Sequence, residues 1–69
     1  MRINFVILER DLDKVFKLHR LSDNISLKET ELGFSRSITV EGSAKTVMTF
    51  IHRLGMYAIN ISSLSILNT

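Results

Sequence analysis

The stretch from Ile38 to Leu67 most restricts the folds open to this chain, because it has the pattern of a strand, a helix and a second strand. Ile38 and Val40 alternate with polar residues, which is the period of a half-buried strand. Residues 44–54 have apolar side chains at helical spacing, and Ala58–Leu67 is again rich in isoleucine and leucine. We therefore predict a complete βαβ unit in this half of the chain.

The predicted helix carries its own start and stop signals. Gly42 supplies a turn and Ser43 a hydroxyl N-cap, while Gly55 is the expected C′ residue, a position where positive φ is common. Lys45, Thr46, Thr49 and Arg53 form a polar face. The opposite face, predicted to be buried, consists of Ala44, Val47, Met48, Ile51 and Leu54, with Phe50 beside it.

Residues 1–33 repeat the same order of elements. Met1–Leu8 fits two patterns: Ile3, Phe5 and Ile7 alternate as in a strand, yet its apolar residues also continue a helical face with those that follow. We favour a strand from Arg2 to Leu8. The next elements are a helix over Glu9–Asp23, a strand over Ile25–Leu32 with Ile25 and Leu27 inward, a turn at Gly33 and a strand beginning near Arg36.

The predicted order is thus β-α-β-β-α-β. Such a chain closes most simply as an α+β, ferredoxin-like domain over residues 1–69, with a four-stranded antiparallel sheet and both helices on one face. If Met1–Leu8 instead continues a helix, the permuted αββαβ variant results. The last strand is expected at a sheet edge.

The residue types present argue against catalysis. The chain has no Cys, and His19 and His52 lack an acid or a second His at metal-ligand spacing, so we expect no metal, no cofactor and no enzyme activity. The serines lie in no nucleophile motif. Glu29 and Glu31 share one face of a strand and could pair as acid and base, but their position beyond Leu27 favours carboxylates that reach solvent.

The charge pattern limits the partners. Nine basic and seven acidic residues are interspersed and leave a net charge of +2, so nucleic acid and anionic lipid are not expected as ligands. An RNA-recognition motif shares the element order. However, the segment Leu32–Ser37 has its Gly-Phe pair without the leading basic residue and has Arg36 where an aromatic side chain is required.

Regulatory domains of the ACT type also share this order and bind amino acids at a paired interface. The Leu54-Gly55 turn followed by Ile59-Asn60-Ile61 is similar to that family's passage from helix to strand. In the ACT family this passage follows the first helix, whereas here it follows the second. A small-ligand-sensing domain is therefore the alternative function.

Three short segments resemble a different family. They are Val40-Glu41-Gly42-Ser43, the Phe50-x-x-x-Leu54 helix core, and Ile61-Ser62-Ser63-Leu64-Ser65-Ile66. The chain resembles the periplasmic domain of the GspM/PilO group, inner-membrane components of type II secretion and type IV pilus assembly machines. Members usually have an αββαββ order and an upstream membrane helix and coiled segment.

This resemblance implies a non-enzymatic scaffold domain on the periplasmic side of the bacterial inner membrane. It implies partners of two kinds, a second copy of the chain and homologous platform proteins. Contact with the membrane would be made only through a segment not present in this chain, so the resemblance describes a soluble fragment of a membrane-anchored protein.

The last strand gives two further predictions. Ile59 and Ile61 differ in phase from Leu64 and Ile66, so a β-bulge at Ser62-Ser63 is needed to point all four at one core. From Met56 to the end no residue is charged, which is unusual for a free sheet edge. We predict an interface formed by Ala58, Ile59, Asn60, Ile61, Ser62, Ser63, Leu64 and Ser65, unless the bulge or a terminal loop already blocks this edge.

Overall fold

The computed structural model describes residues 1–67, which form four strands and two α-helices in the predicted order. Asn68 and Thr69, which the predicted domain includes, lie outside the described residues. The elements are β1 (Arg2–Leu8), a 3-10 turn (Glu9–Asp11), α1 (Leu12–Arg20), β2 (Ser26–Leu32), β3 (Ser35–Glu41), α2 (Ala44–Met56) and β4 (Ser62–Leu67).

All neighbouring strands of the sheet are antiparallel, in the order β2-β3-β1-β4. The predicted α+β class and four-stranded antiparallel sheet are confirmed, and the arrangement is compatible with a ferredoxin-like fold. Strands β1 and β3 lie in the centre and carry the inward apolar residues. Strands β2 and β4 form the two edges.

The core lies between one face of the sheet and the two helices. On β1, Ile3, Phe5 and Ile7 are buried, and Val40 and Ile38 lie opposite the first two on β3. This alternation confirms that Met1–Leu8 contributes a strand. The helices add buried side chains to the same cluster, namely Val15, Leu18, Val47, Phe50 and Leu54.

Helix α1 is shorter than the predicted Glu9–Asp23 at both ends. The chain leaves β1 through the 3-10 turn, and α1 ends at Arg20. Ser22 Oγ donates to the Leu18 carbonyl oxygen at 2.9 Å, and Asn24 adopts a φ of 59°. Local side-chain hydrogen bonding and a left-handed Asn are typical of residues that leave a helix, so the turn before β2 begins earlier than the apolar pattern indicates.

The start of α2 follows its sequence signals. Ser43 is the N-cap in extended conformation, and its Oγ accepts a hydrogen bond from the Thr46 N–H at 3.2 Å. At Gly42, an added Cβ would lie 2.9 Å from the Asn24 carbonyl oxygen. Gly42 therefore allows the turn before β2 to pack closely against the turn before α2.

The end of α2 differs from the prediction, because Gly55 is not the C′ residue. The helix continues through Gly55 to Met56, and Ala58 takes the left-handed conformation with a φ of 57°. The Ala58 N–H donates to the Gly55 carbonyl at 3.1 Å, and the Ile59 N–H donates to the Leu54 carbonyl at 3.0 Å. This pair of bonds is a Schellman motif, and its usual apolar contact joins buried Leu54 and Ile59.

The buried face of α2 is also rotated from the predicted one. Val47, Phe50 and Leu54 are buried and Ile51 is half-buried, whereas Ala44 and Met48 are exposed. Phe50, expected beside the core face, lies at its centre, since its large side chain fills the space above the sheet. The rotation leaves Met48 on the surface.

Candidate functional site

Strand β4 is an edge strand that contains no charged residue and no Pro. It pairs with β1 on one side only, so along its other side the backbone N–H and C=O groups have no strand partner among residues 1–67. None of its side chains is charged, and those of residues 62–66 are exposed. An edge of this kind is a template for pairing with a strand from another chain.

The predicted β-bulge is present in β4. Asn4 lies opposite Ser65 and Val6 opposite Ser62, so two steps along β1 match three along β4. Ser63, within the extra step, has a φ of 53°. The bulge brings Ile66 opposite the inward-facing Ile3, and so restores the phase that the sequence requires.

Restored phase does not bury the end of β4. Leu64 and Ile66 lie on the helix-side face of the sheet, yet they are 53% and 66% exposed, whereas Ile59 is 4% exposed. The helices cover the central strands and leave this edge partly uncovered. Two aliphatic side chains therefore lie beside an open row of backbone hydrogen-bonding groups.

Helix α2 carries a further exposed apolar side chain, Met48. One flank of α2, which carries Lys45, Thr49 and Arg53, lines a groove on the side of β2. Leu21 and Ile25 line the same groove. The opposite flank of α2, which carries Met48, must then face the side of β4. We refer to Met48, Leu64 and Ile66 as the β4 apolar strip; all three are exposed.

The predicted interface is only partly in this edge, because β4 begins at Ser62 rather than at Ala58. Ala58 closes the Schellman motif, Ile59 is buried in the core, and Ile61 packs against that core. Asn60 is exposed but precedes the strand. Of the predicted residues, Ser62, Ser63, Leu64 and Ser65 lie in the edge strand, and Ile66 and Leu67 extend it.

The opposite edge, β2, is charged and carries an ion cluster that the sequence reasoning missed. Arg36 on β3 lies 3.2 Å from Glu9 Oε1, 3.4 Å from Glu29 Oε2 and 3.6 Å from Glu31 Oε1. Its side chain is only 14% exposed. Glu29 and Glu31 are both exposed, as predicted, and each also lies within ion-pair distance of Arg36.

A sequence signal for this cluster exists. Arg36 has the phase of Ile38 and Val40, so it points to the helix-side face of the sheet. The two-residue turn at Gly33 and Phe34 sets Leu32 opposite Ser35, which brings Glu31 opposite Arg36. Charged cross-strand pairs of this kind follow once the hairpin register is known.

The two histidines lie in different surroundings. His19 Nε2 donates to the Ile25 carbonyl oxygen at 2.7 Å, and His52 is exposed. Within residues 1–67, no three His, Asp or Glu side chains are arranged to hold a metal ion, and neither helix has the length and apolar character needed to cross a membrane. Comparisons with protein-family models, curated proteins and solved structures gave no match.

Proposed function

We propose that this chain is a non-enzymatic interaction domain of ferredoxin-like fold, which acts by pairing β4 with a strand of a second copy or of a homologous protein. The observation that carries the proposal is the uncharged, unpaired edge of β4 next to the β4 apolar strip. Main-chain hydrogen bonds would provide the pairing, and the apolar strip would provide contact area.

The contrast between the two edges supports this proposal. Strand β2 carries Lys28, Glu29 and Glu31, and charges along an edge discourage pairing with other chains. Strand β4 has no such charge. A two-fold pairing of β4 with itself would place no like charges opposite one another, so a second copy is an acceptable partner.

The strength of such a dimer can be bounded. Burying the exposed half of each strip side chain contributes about 1 kcal/mol, or about 6 kcal/mol for two copies, and the added strand hydrogen bonds contribute about 0.5–1.5 kcal/mol each. Association costs at least about 4 kcal/mol. A weak dimer, with a Kd in the micromolar range or above, is therefore expected.

We further propose that the domain belongs to an assembly platform of a type II secretion or type IV pilus system, on the periplasmic side of the inner membrane. The support is the resemblance to the GspM/PilO group. The residues that carry it include the Ser43 cap, the buried Phe50 and Leu54, and the bulged segment around Ser63. These are positions with defined structural roles, and any membrane anchor would lie outside this chain.

Sedimentation velocity over a range of concentrations tests the pairing. Ile66→Lys places a charge in the β4 apolar strip and should shift the dimer to monomer. Leu32→Lys is the matched control, because Leu32 lies on the other edge strand and is similarly exposed, at 55%. Circular dichroism should remain unchanged for both.

Two results would contradict the proposal. One is a wild-type protein that stays monomeric at the highest attainable concentration and does not co-purify with periplasmic domains of platform proteins. The other is an equal loss of association in the Ile66→Lys and Leu32→Lys variants. That result would show that an added charge weakens association wherever it lies, and not specifically on β4.

A further inference from the structure

A groove runs between the two helices, on the flank of α2 that faces away from β4. One half is lined by Lys14, Lys17, Leu18, Leu21 and Tyr57. The other half shares Leu21 and continues along α2 to its first turn. Each half has a volume of about 310 Å³ and is open to solvent along one side. The interhelical groove, as we call the two halves together, is a concave surface that the proposed pairing of β4 does not use.

The floor of the interhelical groove is apolar. Leu18 and Phe50 line the groove and are buried. Leu21 and Tyr57 also line it, and more than half of the surface of each is exposed. Exposed leucine and tyrosine side chains in a concave setting are typical of surfaces that receive an apolar anchor from a partner.

The rim of the interhelical groove is basic. Lys14, Lys17, Lys45 and Arg53 line it, and Asp23 is the acidic residue among the lining side chains. Among residues 1–67, only Lys14 of these four cations has an ion-pair partner, the Asp11 carboxylate at a distance of 3.9 Å. The groove therefore has an excess of positive charge that the side chains of residues 1–67 do not neutralise.

The geometry points to a partner of defined chemistry: we propose that the interhelical groove binds an acidic, amphipathic peptide segment of another protein. Apolar side chains of the segment would contact Leu18, Leu21 and Tyr57, and its carboxylates would reach the Lys and Arg side chains on the rim. A bilayer surface cannot enter a groove between two adjacent helices. A single-stranded nucleic acid would need aromatic side chains on which its bases stack, and Tyr57 is the one exposed aromatic side chain among residues 1–67 that lines the groove.

Fluorescence anisotropy with a labelled model peptide tests this inference. The probe is a helical peptide with Leu at i, i+3, i+4 and i+7 and Glu at its other positions, titrated with the full chain at low salt. Lys17→Glu and Arg53→Glu, each made singly, should each weaken binding several-fold. Lys28→Glu, the same charge change on β2 and outside the groove, should leave the affinity within about twofold at the same ionic strength.

The apolar floor has its own matched pair of variants. Leu21→Ala should weaken binding of the peptide several-fold, whereas Leu32→Ala, at an exposed leucine outside the groove, should not. Ile66→Lys should leave the affinity for the peptide unchanged. The peptide-binding test can therefore fail while the pairing of β4 is confirmed, and the reverse. Circular dichroism of each variant shows whether the fold is intact.

Three outcomes would overturn the inference. Equal weakening by Lys28→Glu would show attraction to overall charge. An affinity indifferent to Leu21→Ala would remove the apolar floor from the site. Binding to vesicles of anionic phosphatidylglycerol, but not to the peptide, would assign the basic surface to a membrane instead.

Discussion

The exchange of roles between Gly55 and Ala58 at the end of α2 gives a sharp prediction. The structure places Gly55 inside the helix, with open space around the position of a Cβ, and Ala58 at a φ of 57°. Both residues are the less favourable choice for their backbone conformation. Gly55→Ala and Ala58→Gly should therefore each stabilise the protein.

The magnitudes follow from backbone energetics. Replacing an unrestrained helical Gly by Ala contributes about 0.5–1 kcal/mol. The left-handed conformation costs an L-residue roughly 1–2 kcal/mol, and a Gly at position 58 would remove that strain while losing about 0.5–1 kcal/mol of backbone entropy. Ala58→Gly should thus gain about 0.5–1 kcal/mol, and the double variant about 1–2 kcal/mol.

Urea denaturation followed by circular dichroism measures these changes, and thermal melts should show an increase of about 4–8 °C per kcal/mol for a domain of this size. Gly33→Ala is the control, because Gly33 has a φ of 62° and equally open surroundings, so it should lose stability. Destabilisation by Gly55→Ala would refute the reasoning, since it would place the positive φ at Gly55 and end the helix there.

Two other predictions concern single contacts. Gly42→Ala should destabilise by at least about 1 kcal/mol in urea melts, because its Cβ would come within 2.9 Å of the Asn24 carbonyl; stability equal to wild type would show that this turn adjusts freely. Arg36→Met should lower Tm because Glu9, Glu29 and Glu31 lose their shared cation, and added salt should reduce that loss by screening their repulsion. A Tm loss that is independent of salt would assign the effect to packing.

The fold was accessible from the sequence because local signals agreed with one another. Three features lie where the pattern indicated: the alternation of Ile3, Phe5 and Ile7, the Ser43 cap, and the turn at Gly33. The bulge was also predictable, since the side-chain period of a strand is two and the apolar residues of the last segment change phase. These features depend on neighbours in sequence.

What could not be predicted depends on contacts between distant residues. Gly55 has the local signature of a C′ residue. Burial of Ile59 against Leu54 instead favours a helix that continues past Gly55 to Met56, which leaves Ala58 in the strained left-handed conformation. The rotation of α2 that buries Phe50 and exposes Met48 has the same origin, because the core volume above the sheet selects the face. Tertiary packing overrode propensity at both places.

These two packing outcomes bear directly on how β4 would pair. The Schellman motif ends the helix at Met56 and buries Ile59, so the strand begins only at Ser62, and the bulge at Ser63 then disturbs its first residues. Regular extended backbone thus remains only from Leu64 to Leu67. A partner strand would therefore pair along few residues, so the β4 apolar strip must supply much of the contact. Removing Met48, Leu64 or Ile66 should weaken association even where the backbone of β4 is unchanged.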